Sequence, residues 1–98
     1  MRLTKYEIET IRKVFLNVFE HGRLYLFGSR IDDTKKGGDI DIYIEPVDRE
    51  KLLSKKINFL AQLKSYIGEQ KIDIVIDRGE DRLIDILAKE KGVLLCKN

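Results

Sequence analysis

Apolar positions recur along the chain with two periods, which predicts helices alternating with strands. Thr4 and Glu7 have the spacing of a capping box and open a first helix, for which Gly22 is the stop signal. A second helix is predicted from a cap at Asp48 to Gly68, and a third from Glu80 or Asp81 to Gly92. The predicted buried stripe of the second helix consists of Leu53, Ile57, Leu60, Leu63 and Ile67.

Three short runs with strand character separate these helices, at residues 24–27, 39–45 and 72–77, and residues 93–96 are predicted as a short edge strand. A polar loop with one helical turn is expected in 30–38. The predicted fold class is therefore α/β (α+β), with helices packed on one face of a small mixed sheet of three to four strands. The order is α-β-(short α)-β-α-β-α. With 98 residues, the chain is predicted to form a single domain, 1–98.

Carboxylates share one face of the second predicted strand. Successive side chains of a strand point to opposite faces, so Ile40, Ile42 and Ile44 take one face while Asp39 and Asp41 take the other. The third strand repeats the alternation. Its Asp73 is expected on the face of Asp39 and Asp41, with Asp77 further along as the reserve choice.

Three carboxylates held close together repel one another, and a divalent cation reverses the sign of that interaction. Residues i and i+2 of a strand lie about 6.7 Å apart, close enough for their carboxylates to share a pair of Mg²⁺ ions. Oxygen ligands without candidate His or Cys ligands favour Mg²⁺ or Mn²⁺ over zinc. The simpler interpretation, a solvated acidic strand face, stays open at this point.

Composition narrows the functional classes. A net charge of +2 gives no overall basic character, so nucleic acid is not an expected direct ligand. The lone Cys96 excludes an internal disulfide, and no apolar run reaches the ~20 residues of a membrane span. No signal-peptide pattern is seen at the start. A cytoplasmic setting without a membrane is expected.

Gly28 and Ser29 follow the first strand. A glycine there lets the backbone approach a ligand closely, and free N–H groups with the serine hydroxyl can hold phosphate oxygens. Arg30 adds positive charge and is a candidate phosphate contact. A Gly-Ser pair alone usually marks a simple turn. Here it is followed by nine residues, Asp-x-Asp on a strand, and a third aspartate on a later strand.

This combination resembles the nucleotidyltransferases of the DNA polymerase beta superfamily, whose signature is Gly-Ser followed by Asp-x-Asp. The segments FGSR and GGDIDIYI carry the resemblance, with the third aspartate in KIDIVI. Within the superfamily the whole chain, including the closing KGVLLC, is similar to the minimal nucleotidyltransferases (MNT), the antitoxins of HEPN/MNT toxin-antitoxin pairs. Gly38 departs from the family, which often has serine before the first aspartate, and the spacer is short.

The resemblance implies a role for each matching residue. Asp39, Asp41 and Asp73 would be the catalytic and metal-binding carboxylates for two Mg²⁺ ions, with Asp73 as ligand alone or also as base. Gly28, Ser29 and Arg30 would bind the nucleotide. The implied reaction transfers a nucleoside monophosphate, AMP from ATP, to a hydroxyl.

The acceptor follows from the same resemblance. Larger superfamily members carry an acceptor-binding domain that this chain has no residues to build, so the acceptor surface is expected from another molecule. The implied partner is a HEPN-domain toxin, adenylylated on a tyrosine, within a homo- or hetero-oligomer. Two alternatives remain: a non-catalytic antitoxin that neutralises a HEPN partner by binding, and a small-molecule nucleotidyltransferase. Tyr43, on the acidic face, is predicted to pack across strands rather than to stack a base.

Overall fold

The computed structural model describes residues 3–28, 39–68 and 70–98, and within them three helices accompany one four-stranded sheet. The helices are α1 (Lys5–Val18), α2 (Leu52–Ile67) and α3 (Leu83–Lys91), and the strands are β1 (Gly22–Phe27), β2 (Ile40–Pro46), β3 (Ile72–Ile76) and β4 (Val93–Lys97). The strand order is β3-β2-β1-β4. β2 and β3 are parallel and the other pairs antiparallel, which confirms the predicted mixed sheet.

The first helix begins as its sequence predicts. The Glu7 N–H donates to the Thr4 hydroxyl (3.1 Å) and the Thr4 N–H donates to the Glu7 carboxylate (2.9 Å), which completes the capping box. Ile11 and Phe15 on its inner side are fully buried. This helix and α2 pack together on the face of the sheet that carries Ile42 and Ile44.

The start and the rotation of α2 differ from the prediction. Asp48 does not cap the helix: it accepts from the Glu50 N–H (2.9 Å) in the preceding turn, and α2 begins only after Lys51, which has a positive φ of 54°. Leu53 and Ile57, predicted in the core, are 72% and 61% exposed. The apolar arc of α2 is wider than the sheet and α1 can cover, so these two side chains remain in solvent.

The helix α3 departs from the expectation that the helices share one face. Its Ala88 clusters with Tyr25 and Tyr43, whose side chains point away from the isoleucine face. Tyr43 is fully buried there, with its ring centroid 6.0 Å from that of Tyr25, which confirms the predicted cross-strand packing. The helix thus covers one part of the face on which the acidic side chains lie. In the described ranges, no helix is long and apolar enough to cross a bilayer.

Candidate active site

The parallel pairing of β2 and β3 brings two of the predicted aspartates side by side. Asp41 and Asp73 are direct partners in the register, so they share one face of the sheet, opposite the neighbouring isoleucines. Asp39 lies immediately before β2. The geometric condition for a shared carboxylate site, Asp73 on the same face as Asp41, is therefore met.

The electrostatics of Asp41 reflect this crowding. Its pKa is raised, first by partial burial and then by the negative charges of Asp73 and Asp39. Lys71 opposes the rise, and its ammonium lies 3.5 Å from the Asp39 carboxylate. The Lys71 side chain is 72% exposed, so solvent screens its charge. The three carboxylates repel one another with little compensation from this lysine.

Gly28 closes the site from β1. Phe27, the last residue of β1, pairs with Asp41, so the next peptide passes beside the Asp41 side chain. Gly28 has a φ of +80°, and a Cβ built on it would collide with the Asp41 carboxylate oxygen Oδ2. Both the backbone angle and the missing side chain are required there. The predicted helical turn and two predicted nucleotide-binding residues, Ser29 and Arg30, fall in 29–38, outside the described residues.

The donor set suits a hard cation. Asp39, Asp41 and Asp73 offer carboxylate oxygens, the ligands that Mg²⁺ and Mn²⁺ prefer, and Asp73 is exposed to an incoming ion. Among the residues that the structure describes, no three acidic, His or Cys side chains are already gathered into a metal-binding arrangement. A metal would therefore have to draw these side chains together against their repulsion. The metal site stays a prediction.

The reserve ligand, Asp77, is engaged elsewhere, and that alternative is wrong. Asp77 lies past the other end of β3 and is 4% exposed. It accepts from the Lys89 ammonium (3.0 Å) and from the Gly79 N–H (2.7 Å). Burial alone would raise its pKa, but these two hydrogen bonds hold the pKa below its ordinary value. Asp77 anchors α3 to the sheet instead.

A second buried carboxylate was not singled out from the sequence. Asp85 is 1% exposed, accepts from the Tyr43 hydroxyl (2.9 Å) and forms a two-pronged ion pair with Arg82 (3.0 Å for each contact). The Arg82 hydrogen bond in particular lowers the pKa of Asp85 to about 2. Burial, followed by the hydrogen bond to Asp85, raises the pKa of Tyr43. The sequence signal was the i, i+3 spacing of arginine and aspartate, which is common on exposed helices.

The face that carries the acids is thus divided in two. Around Tyr43, α3 covers the sheet and neutralises each buried carboxylate with a cation. Around Asp41 and Asp73, no helix among the described elements covers the sheet, and the carboxylates remain accessible. In comparisons with protein-family models and with curated proteins, the sequence matches none of them.

Proposed function

We propose that this protein is a Mg²⁺-dependent nucleotidyltransferase that transfers AMP from ATP to a hydroxyl group of a partner protein. The observation that carries the proposal is the register of β2 and β3, which sets Asp41 directly beside Asp73 on an accessible face. Like charges directly opposite each other destabilise a sheet. A solvated acidic strand face therefore gives no reason for pairing two aspartates across neighbouring strands.

The residues of the chain would divide the chemistry between them. Asp39, Asp41 and Asp73 would hold the metal ions, which would activate the acceptor hydroxyl and offset charge on the departing pyrophosphate. Gly28 leaves room for the Asp41 carboxylate beside the peptide that leads to Ser29. Ser29 and Arg30, with nearby N–H groups, would bind the outer phosphates. Asp73, the exposed member of the three, would face the acceptor, as a metal ligand alone or also as the base that takes the acceptor's proton.

The acceptor would come from outside the chain. The accessible acidic face borders solvent, and the cavities found among the described residues lie away from Asp39 and Asp41. A large acceptor can therefore approach more easily than a small molecule can be enclosed. The resemblance to MNT antitoxins suggests a HEPN-domain toxin, modified on a tyrosine in the cytoplasm.

The test combines this protein with the product of its neighbouring gene. The mixture is incubated with Mg²⁺ and ATP labelled on the α-phosphate, and the partner is examined by mass spectrometry for an adenylyl adduct. The label should reach the partner only when protein, ATP and Mg²⁺ are all present. ATP labelled on the γ-phosphate should leave it unlabelled. Label transferred from the γ-phosphate would instead indicate a kinase and contradict the proposal.

Variants separate catalysis from simple binding. Asp41→Asn should abolish transfer while leaving the circular dichroism spectrum unchanged, and Glu50→Gln, which removes an exposed charge elsewhere, should retain it. Full transfer by Asp41→Asn would refute the assignment. If the double variant Asp39→Ala, Asp41→Ala still neutralised the partner as well as the wild type, binding alone would be the function.

A further inference from the structure

The strand β3 lies at one edge of the sheet with its outer side unpaired by any described strand. The Ile40 N–H donates to the carbonyl of Lys71 (3.0 Å) and the Asp77 N–H donates to that of Ile44 (2.9 Å), so the odd-numbered residues of this segment bond to β2. Because a parallel ladder alternates, the even-numbered residues direct their peptide groups outward. They are Ile72, Ile74 and Ile76.

One of these outward groups already has a partner from a side chain. The Arg82 guanidinium donates to the carbonyl of Ile76 (3.0 Å). This contact ends the free edge near the start of α3, and no described strand pairs with the edge from Ile72 to Ile74. A free edge of this kind accepts an additional strand through main-chain hydrogen bonds.

A groove of about 330 Å³ runs beside this edge, between β3 and the first turns of α2. Apolar and charged residues both line it, and among the apolar ones Leu53 is 72% exposed. The charged side chains that line it, all within the described residues, are the cations Lys56, Arg78 and Arg82. Arg82 is paired with Asp85, whereas Lys56 and Arg78 have no ion-pair partner among those residues.

The positive charge of the groove indicates what kind of molecule binds there. A second copy bound through the same edge would bring Lys56 and Arg78 toward their own counterparts, and like charges brought together oppose association. A segment of another protein with acidic and apolar side chains would satisfy both features of the groove. Its peptide groups would pair with Ile72 and Ile74, which requires an extended conformation.

The free edge of β3 lies close to Asp73, so a segment bound along this edge would reach the candidate active site. Asp73 belongs to β3 itself and lies on the face opposite the one that carries Ile72 and Ile74. An added strand would lie about 4.8 Å from β3, with alternate side chains on each face. One of its faces would then lie toward α2 and the groove, while the other placed a side chain about 5 Å from Asp73.

We propose that the acceptor segment of the partner protein binds as an extended strand along β3, with acidic and apolar side chains over the groove and the acceptor hydroxyl beside Asp73. This inference rests on the proposed function for the identity of the partner, but the docking can be tested without catalysis. The groove is thus assigned as the acceptor-binding surface.

The probe is a fluorescein-labelled peptide as long as β3, with valine and glutamate on one face and serine on the other. Binding is followed by fluorescence anisotropy without ATP or Mg²⁺. Lys56→Glu and Arg78→Glu should each weaken binding by about tenfold, as expected for charged pairs that guide recognition. Lys64→Glu makes the same charge change on an exposed part of α2 outside the groove and should leave binding unchanged.

Two further peptides test the mode of binding. Replacing glutamate by lysine should abolish binding, and N-methylation of the peptide groups that face β3 should do the same because it removes the donors. Equal binding of acidic and basic peptides, absence of binding, or insensitivity to Lys56→Glu would overturn the proposal. A dimer seen by sedimentation and disrupted by Lys56→Glu would also overturn it, since a second copy would then occupy the edge.

The outcomes for docking and chemistry are distinguishable. If the peptide binds as described but no AMP reaches any partner, the docking surface stands and the proposed function fails. If AMP transfer to the partner proceeds equally in the wild type and in Lys56→Glu, the chemistry stands and this docking surface is wrong. Circular dichroism of each variant verifies that the fold is retained.

Discussion

The acidic site should make the metal-free protein less stable than a neutralised variant. Asp41→Asn keeps the shape of the side chain and removes the charge that Asp73 and Asp39 repel. The raised pKa of Asp41 has burial as its largest cause and the two neighbouring carboxylates next, and all three costs disappear with the charge. We therefore expect the variant to be more stable than the wild type when no divalent cation is present.

The pairing of Asp41 with Asp73 determines how large the gain in the free energy of unfolding should be. Neighbouring strands lie about 5 Å apart, so side chains on directly paired residues of one face are spaced by about that distance. At that distance two unit charges in a nearly aqueous dielectric repel by about 0.8 kcal/mol, and Asp39 adds a smaller amount because it lies further away. The expected gain in the free energy of unfolding is about 1 kcal/mol. For a domain of this size it corresponds to a rise in Tm of roughly 4–8 °C.

Thermal unfolding with and without Mg²⁺ is the assay. Mg²⁺ should raise the Tm of the wild type, because a ligand bound only by the folded state stabilises it, and should leave Asp41→Asn almost unchanged. The order of the two stabilities should therefore reverse as Mg²⁺ is added. Glu50→Gln provides the control, with the metal response of the wild type.

Two results would refute this reasoning. An Asp41→Asn variant less stable than the wild type in the absence of metal would mean that the carboxylates do not repel as the register implies. A wild type whose Tm does not respond to Mg²⁺ or Mn²⁺, alongside a stabilised variant, would mean an ordinary acidic strand face without a metal site. Salt must be held constant, since it screens the same repulsion.

Three other perturbations test the surroundings of the site, all measured by urea unfolding. Asp85→Ala should lower the free energy of unfolding by about 1–3 kcal/mol, because it removes the acceptor of the buried Tyr43 hydroxyl and the ion-pair partner of Arg82, while the exposed Leu83→Ala should change it by less than about 0.5 kcal/mol. The pKa of Asp85, about 2, is below its ordinary value, so the stability it contributes is complete above about pH 4 and lost as the pH falls through about 2. Asp85→Asn should reduce that acid dependence, and an unchanged dependence would contradict the assignment. Gly28→Ala should cost at least about 1 kcal/mol, because its φ is +80° and the new methyl group meets Asp41, and it should also weaken the Mg²⁺ response; a neutral effect would contradict the close approach.

Local patterns predicted the parts of the fold that depend on neighbouring residues. The capping box at Thr4 and the alternation in the strands are fixed within a few residues, and both are confirmed. The alternation also placed Asp41 and Asp73 on one face, because both isoleucine rows had to enter the same core. That argument needed only that β2 and β3 lie near each other.

The parts that failed depend on tertiary packing. The sequence of α2 is apolar over a wide arc, and only its packing against α1 and the sheet shows that Phe59 and Leu63 lie at the centre of the buried side while Leu53 and Ile57 lie outside it. The acidic Asp48 could have capped the helix, but the chain uses it in the preceding turn.

The side of the sheet on which α3 packs could not be predicted from the sequence for a related reason. Its inward positions are Asp85 and Ala88, while Leu83, Ile86 and Leu87 are exposed, so its polarity is the reverse of that of a usual amphipathic helix. A pattern-based argument assigns the apolar side to the core. The actual inner side is polar because it meets the Tyr43 hydroxyl and the Arg82 guanidinium instead of an apolar sheet.

The two ends of the acidic face differ in the cations that the described residues supply. The chain has 19 lysines and arginines for 17 acidic residues, and at the α3 end Lys89 and Arg82 neutralise the buried carboxylates Asp77 and Asp85. Near Asp41, the cation that the described residues supply is Lys71, which is mostly in solvent. A cation from solution can relieve repulsion that the described residues leave in place, and its binding energy is then larger than at a site already neutralised by side chains of the protein. A substitution that supplied an internal cation beside Asp73 should therefore stabilise the fold and, by the same interaction, lower the affinity for Mg²⁺.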